Sequence, residues 1–249
     1  MRNYAAETTS RVMFIKELLA VSGASGIVFG NSGGKDSALV GILCKMACED
    51  TVGLIMPCGS RRNYEEDKND AETVAAQYGI ATRIVDLSAV KEALVGAVGE
   101  STALTESALA NIAPRLRMTA LYAVAASENR LVAGTGNYSE SYLGYFTKWG
   151  DGAYDFNVIA DLTASEVLDF LRYLKAPEAI VTKAPSAGLF DGQTDEGEMG
   201  MTYRSIDAFL LSGSTNERDQ ANIERLHRST AHKRQMPVRY GEKHDHEDQ

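Results

Sequence analysis

At 249 residues, with 44% hydrophobic and 24% charged side chains, the chain reads as one domain able to bury a sizeable core. Lys and Arg number 25 against 34 Asp and Glu, a formal charge of −9, which disfavours nucleic acid as a partner but leaves room for a local basic pocket around a small phosphorylated molecule. No run approaches roughly 18 apolar residues, and the opening MRNYAAETTSRVMFIKELLAVSG lacks a signal peptide's continuous apolar core, so no membrane helix is expected and the cytoplasm is the expected location.

Val12, Ile15, Leu18 and Leu19 recur at helical spacing, so the chain opens with a helix. GIVFG follows as a short strand, then a glycine-rich loop, then DSALVGILCKMACED as a helix. TVGLIMP reads as a second strand ended by Pro57, YEEDKNDAETVAAQYG as a helix stopped by Gly79, and ATRIVDL as a third strand. Alternating strands and helices imply parallel strands joined by right-handed crossovers. A helical stretch covers about residues 105 to 128, with Pro114 marking a boundary between two helices. RLVAGTG is a fourth strand running into another glycine turn. In DLTASEVLDFLRYLKAPE, Thr163 and Glu166 form a capping box at a helix start. KAPSAGLFDGQTDEGEMGM has no periodicity and reads as a mobile loop. Helices around YRSIDAFLL and NERDQANIERLHRST follow, and GEKHDHEDQ reads as a solvated tail. Cys44, Cys48 and Cys58 lack the spacing of a zinc site and read as small buried apolar groups.

The loop after the first strand, GIVFGNSGGKDSALVG, joins a glycine-rich turn to a helix N-terminus, an arrangement that holds phosphate through backbone N–H groups. It is not a Walker A loop, because Lys35 is followed by Asp36 instead of Ser or Thr, and Phe29 stands where the first glycine belongs. A carboxylate beside phosphate is repulsive unless a cation lies between them, and Mg²⁺ uses one or two carboxylates plus phosphate oxygens in this way. Asp36 therefore reads as a metal ligand.

SGGKDS, Ser32 to Ser37, matches in full the S-G-G-x-D-S loop of the ATP pyrophosphatase enzymes. Residues 134 to 157, GTGNYSESYLGYFTKWGDGAYDFN, resemble the G-T-[DG]-N-x-x-E…G-[YF]-F-T-K-[YW]-G-D-G…D segment of ammonia-dependent NAD synthetases. NIAPRLRM is similar to that family's N-[IV]-x-A-R-x-R-M, with Pro114 where alanine is usual. KAPSAGLFDGQTDE resembles its K-x-P-[ST]-A-x-L…Q-x-D-E loop, and AHKRQMP its H-K-R-x-x-P ending. The matches fall in family order across residues 30 to 237.

This resemblance implies an α/β fold, a Rossmann-like parallel sheet with helices on both faces of the adenine nucleotide alpha-hydrolase-like kind. It implies ATP-dependent amidation of deamido-NAD by ammonia, through an adenylated carboxylate, with AMP and pyrophosphate released. Gly30, Asn31, Ser32, Gly33, Gly34, Lys35, Asp36 and Ser37 would cradle ATP, with Thr135 and Ser186 also contacting it. Asp36 and Glu140 would hold Mg²⁺ and serve as the catalytic pair; Arg115, Lys148, Asp155, His232 and Lys233 would bind deamido-NAD. The family also implies a homodimer. Two departures remove cations from the ATP site: Ala164 stands where a lysine is common, and Ile55 and Met56 stand where an arginine often precedes L-P. Lys35 is the residue expected to compensate in part. Because the first helix starts within a few residues of Met1, no glutamine-hydrolysing domain is expected, and free ammonia or a separate partner would supply nitrogen. The competing readings are an ATP pyrophosphatase amidating or thiolating another substrate, and a nucleotide-binding regulator without catalysis.

Overall fold

β1 (Gly26–Gly30) follows helix α1 (Tyr4–Ser22) and is the strand around which the rest is ordered. A computed structural model describes residues 2–59, 64–183 and 195–241. After β1 come α2 (Lys35–Ala47), β2 (Thr51–Ile55), α3 (Tyr64–Tyr78), β3 (Ala81–Ile84), α4 (Ser88–Gly99), α5 (Glu106–Glu128) and β4 (Arg130–Ala133). The four strands form one parallel sheet in the order β3-β2-β1-β4. The chain thus builds outward from β1 to β3, then crosses to lay β4 on the other side of β1. Val28 sits between Val52 of β2 and Val132 of β4.

Strands in such a sheet are apolar throughout because both faces are covered. Along β1, Ile27 and Phe29 enter one core and Val28 the opposite one, the period-two alternation of a strand. The first core takes α1, α2 and the later helix α7 (Ala164–Leu174); the second takes α5. Phe29 and Phe170 are almost wholly buried in the first core, each burial worth roughly 1.5–3 kcal/mol. Cys44 and Cys58 are buried free thiols, as expected, while Cys48 is half-buried.

Between β4 and α7 lies α6 (Tyr138–Leu143); α8 (Glu178–Thr182), α9 (Asp195–Met199), α10 (Tyr203–Ser212), α11 (Glu217–Ser229) and α12 (Ala231–Arg234) complete the described chain. Leu143 of α6, Ala164 of α7, Ile206 of α10 and Ile223 of α11 form a third cluster beside the sheet. The capping box expected at Thr163 is present: Thr163 accepts from Glu166 N, and Glu166 accepts from Thr163 N.

Two expectations are corrected. Pro114 lies inside one continuous helix, α5, and does not divide two. An interior proline costs about 3 kcal/mol, and tertiary packing offsets it here: Pro114 is buried and lies directly under Gly150, where an added Cβ would come within 2.9 Å of the proline ring. The aperiodic stretch after Lys183 is helical at Asp195–Met199; its residues 184–194 lie outside the described residues, as does 242–249 of the tail.

Candidate active site

At the C-terminal end of β1 the chain turns through Asn31 to Gly34 into α2. Gly33 has φ +75°, and a Cβ there would lie 2.2 Å from the carbonyl oxygen of Asp67 in α3, so the tight turn and the close backbone approach both require glycine. Asn31 is buried and donates to the Ala71 carbonyl at 3.3 Å. Ser32 and Ser37 meet at 3.1 Å between hydroxyls, and Ser37 Oγ donates to the Gly34 carbonyl at 3.0 Å. No side chain caps α2, so its first N–H groups face the loop as an anion site.

Asp36 stands in the first turn of α2 and Glu140 in the first turn of α6, which begins beyond β4. Asn137 joins them. Its Nδ2 donates to Asp36 Oδ1 at 3.0 Å, its Oδ1 accepts from Glu140 N at 3.0 Å, and its own N donates to Glu140 Oε2 at 3.2 Å. The last two bonds are a capping box, so the residue that caps α6 also fixes the second carboxylate. The Tyr203 hydroxyl donates to Asp195 Oδ2 at 3.1 Å and lies 3.4 Å from Glu140 Oε1; the Tyr145 hydroxyl donates to Asp195 Oδ1 at 3.3 Å. The Lys35 ammonium reaches Asp36 Oδ2 at 2.5 Å and sits 5.4 Å from the Tyr203 ring centre.

Burial, reinforced by Asp36, pushes the Glu140 carboxyl up to about 8 in spite of Lys35 and the Asn137 N–H. Burial also pushes the Tyr203 phenol up, with Glu140, Asp195 and Asp36 adding to it. For Lys35, burial alone would lower the pKa, but Asp36 and Glu140 outweigh it and the net direction is upward. Burial and the neighbouring Asp36 thus make a second negative charge costly here, and a cation bound beside Glu140 would relieve that cost. Two convergent carboxylates, one of them already paired with an ammonium, fit a magnesium ion that completes its shell with phosphate and water. Among the described residues no three His, Cys, Asp or Glu form a metal cage on their own.

A second group gathers where α5 and α12 meet the segment around Lys148. The exposed Arg115 guanidinium lies 3.4 Å from the Lys148 carbonyl, and the Lys148 ammonium donates to the His232 carbonyl. Lys233 donates to the carbonyls of Gly144 and Phe146, each at 2.8 Å. Arg115, Lys148, His232 and Lys233 are thus brought together, although Lys233 is engaged with backbone. Asp155 stands elsewhere, accepting from Val132 N at 2.7 Å and from the Tyr122 hydroxyl at 3.1 Å. Thr135 is half-buried in the turn after β4, and Ser186 lies outside the described residues. Thr147 Oγ1 donates to Asn111 Oδ1 at 2.6 Å, which fastens the segment 145–152 to α5, and within the segment Asp151 Oδ1 accepts from Thr147 N at 2.9 Å.

Sequence reasoning assigned no role to Asn137, Asp195, Tyr203 or Arg117. The first two lay within quoted motifs, GTGNYSE and QTDE, so a signal existed; Tyr203 had none. Arg117 was also quoted. Its Nε donates to the Met56 carbonyl at 3.0 Å, setting a cation at the end of β2 beside the residues where one was missing. Burial lowers its pKa. Ala164 is buried in the third cluster, with its N–H bonded to Ser139 Oγ at 3.1 Å.

A phosphate-cradling loop at the point where strand order reverses is where open α/β sheets receive nucleotides, and this loop, running into α2 with its aspartate, is of the ATP pyrophosphatase type. A family model for NAD synthase matches residues 7–237. The NH(3)-dependent NAD(+) synthetase of Carboxydothermus hydrogenoformans is 47% identical over 238 residues, covering 94% of this chain and 97% of that protein. The solved structure of NMN synthetase from Francisella tularensis superposes with TM-score 0.91 at 34% identity, covering 97% of this chain and 100% of that one. That of NH3-dependent NAD synthetase from Campylobacter jejuni gives 0.78 at 32%, covering 96% and 99%. The chain belongs to the NAD synthase family.

Proposed function

We propose that the chain amidates deamido-NAD with ammonia, consuming ATP and releasing NAD, AMP and pyrophosphate; it is a ligase that forms a carbon–nitrogen bond. The nicotinate carboxylate is a poor electrophile because its charge is delocalised and its leaving group would be oxide. Transfer to the α-phosphate of ATP converts it to a mixed anhydride from which AMP departs when ammonia attacks. Residues Gly30 to Ser37 cradle the triphosphate at the α2 N-terminus, and the family motif assigns Thr135 and Ser186 contacts with ATP as well. Asp36 and Glu140 are the residues that would hold Mg²⁺, which when bound would offset charge on the departing pyrophosphate. Arg115, Lys148, Asp155, His232 and Lys233 hold deamido-NAD, and the cationic ones suit its pyrophosphate and carboxylate. Holding both substrates in one cleft supplies proximity.

The observation that carries this reading is the link from Asp36 through Asn137 to Glu140 at the mouth of the phosphate loop. The chain works as one catalytic domain on free ammonia, in the cytoplasm and as a homodimer. In support of the dimer, α4 is rich in apolar residues yet buries none of them, with Val90 50% and Leu94 39% exposed. No helix of the described residues is long and apolar enough to cross a membrane, and the net charge of −9 disfavours nucleic acid.

A second reading has one observation in its favour: the higher TM-score to the NMN synthetase. It makes the acceptor the nicotinate mononucleotide. One experiment tests both. Pyrophosphate release from ATP is followed with Mg²⁺ and ammonium, adding deamido-NAD, the mononucleotide, or neither. Release that requires deamido-NAD supports the proposal, release that prefers the mononucleotide supports the second reading, and ATP binding without release makes the chain a regulator. Equal rates with glutamine as sole nitrogen donor would refute ammonia dependence.

A further inference from the structure

The cation that answers Asp36 here comes from its own neighbour in the chain. The Lys35 ammonium lies 2.5 Å from Asp36 Oδ2, and its side chain is 7% exposed, turned inward beneath the Tyr203 ring. Tyr203 in turn touches Glu140 and Asp195, so the ammonium points into the acidic pocket and not to solvent. A magnesium ion binds a carboxylate oxygen at about 2.0–2.1 Å. An ammonium already on Asp36 Oδ2 competes with such an ion for that oxygen, while Oδ1 already accepts from Asn137. Lysine suits this task because its stem is flexible and its charge compact. A triphosphate entering the loop would offer the ammonium a new set of acceptors and so free Asp36.

Resting on the reading above that Asp36 and Glu140 hold the divalent ion, we propose that Lys35 is a tethered counter-ion that excludes free divalent cations from the pocket and yields only when triphosphate arrives. The site then loads metal and nucleotide together. This is a different role from partial replacement of missing ATP cations.

Mn²⁺ serves as the probe, its free concentration read by electron paramagnetic resonance during titration of the whole chain without nucleotide. Lys35→Gln removes the charge, Lys35→Arg keeps it, and Lys35→Gln/Asp36→Asn removes the ligand as well. Removing a charge a few ångströms from the ion predicts that Lys35→Gln binds Mn²⁺ at least ~10-fold more tightly than wild type, whereas Lys35→Arg stays as weak as wild type. With α,β-methylene-ATP present, wild type and Lys35→Gln should converge within about twofold, because the ammonium has left Asp36 in the one and was never there in the other. Thermal melting checks folding: Mn²⁺ should raise the melting temperature of Lys35→Gln more than that of wild type. Equal nucleotide-free affinity of wild type and Lys35→Gln overturns the counter-ion role, while loss of binding in the double variant would still uphold Asp36 as the ligand. Unchanged tight binding in the double variant would overturn both.

Discussion

Replacing Asp207 with alanine tests how the acidic pocket is held in place. Asp207 is 3% exposed in α10 and accepts three bonds, from Ser139 Oγ at 2.5 Å, Ser165 N at 2.8 Å and Ser165 Oγ at 2.5 Å. Ser139, wholly buried in the first turn of α6, passes the link on by accepting from Ala164 N. One carboxylate thus ties α10 to the N-termini of α6 and α7, where backbone N–H groups have no partner inside their own helix. Alanine would leave the Ser139 hydroxyl and the Ser165 N–H in want of an acceptor, at ~1–3 kcal/mol each. Relaxation and the recovered cost of burying the carboxylate reduce the sum, so Asp207→Ala is expected to destabilise by ~3 kcal/mol and Asp207→Asn, which keeps one acceptor oxygen, by ~1–2 kcal/mol. Urea unfolding followed by circular dichroism measures both. A cost below ~1 kcal/mol for alanine, or a larger cost for asparagine than for alanine, would refute the reasoning.

Two further outcomes are expected. Burial alone would raise the Asp161 carboxyl, but hydrogen bonding and charge from Arg11, with Arg2 beyond, hold it below its usual range. Its contribution to stability is therefore complete above the ordinary aspartate value and is lost as pH falls through the depressed one. Asp161→Asn should flatten that acid limb of the stability curve, and an unchanged slope would remove the ion pair from the account. Leu94→Asp on α4 should convert a dimer to a monomer by light scattering, while an unaltered mass would show that α4 is not the interface.

Much of the sheet was legible because GIVFG, TVGLI and RLVA are short, mostly apolar runs, each with a glycine or proline within three residues of its end. α4 went unread because SAVKEALVGAVG is apolar without a polar face, and in this structure it buries no residue. Pro114 misled for a physical reason: a local rule against interior proline was overridden by packing against Gly150. α6 was hidden inside a segment read only for its motif, although Asn137 and Glu140 stand three apart, as a capping box requires. At the site, the paired acids at 36 and 140 could be named from motifs, and the structure joins them. What sequence could not supply was the direction of Lys35, or the position of Tyr203, since both depend on the first turn of α10 meeting the first turn of α2.

Asp36 and Asn137 stand 101 residues apart in the chain and meet only because β4 docks beside β1. A fragment ending before β4 would contain the whole glycine-serine turn and Asp36 yet lack both Asn137 and Glu140. The joined pair of carboxylates is consequently a property of the completed sheet, and a chain in which β4 has not docked beside β1 lacks it.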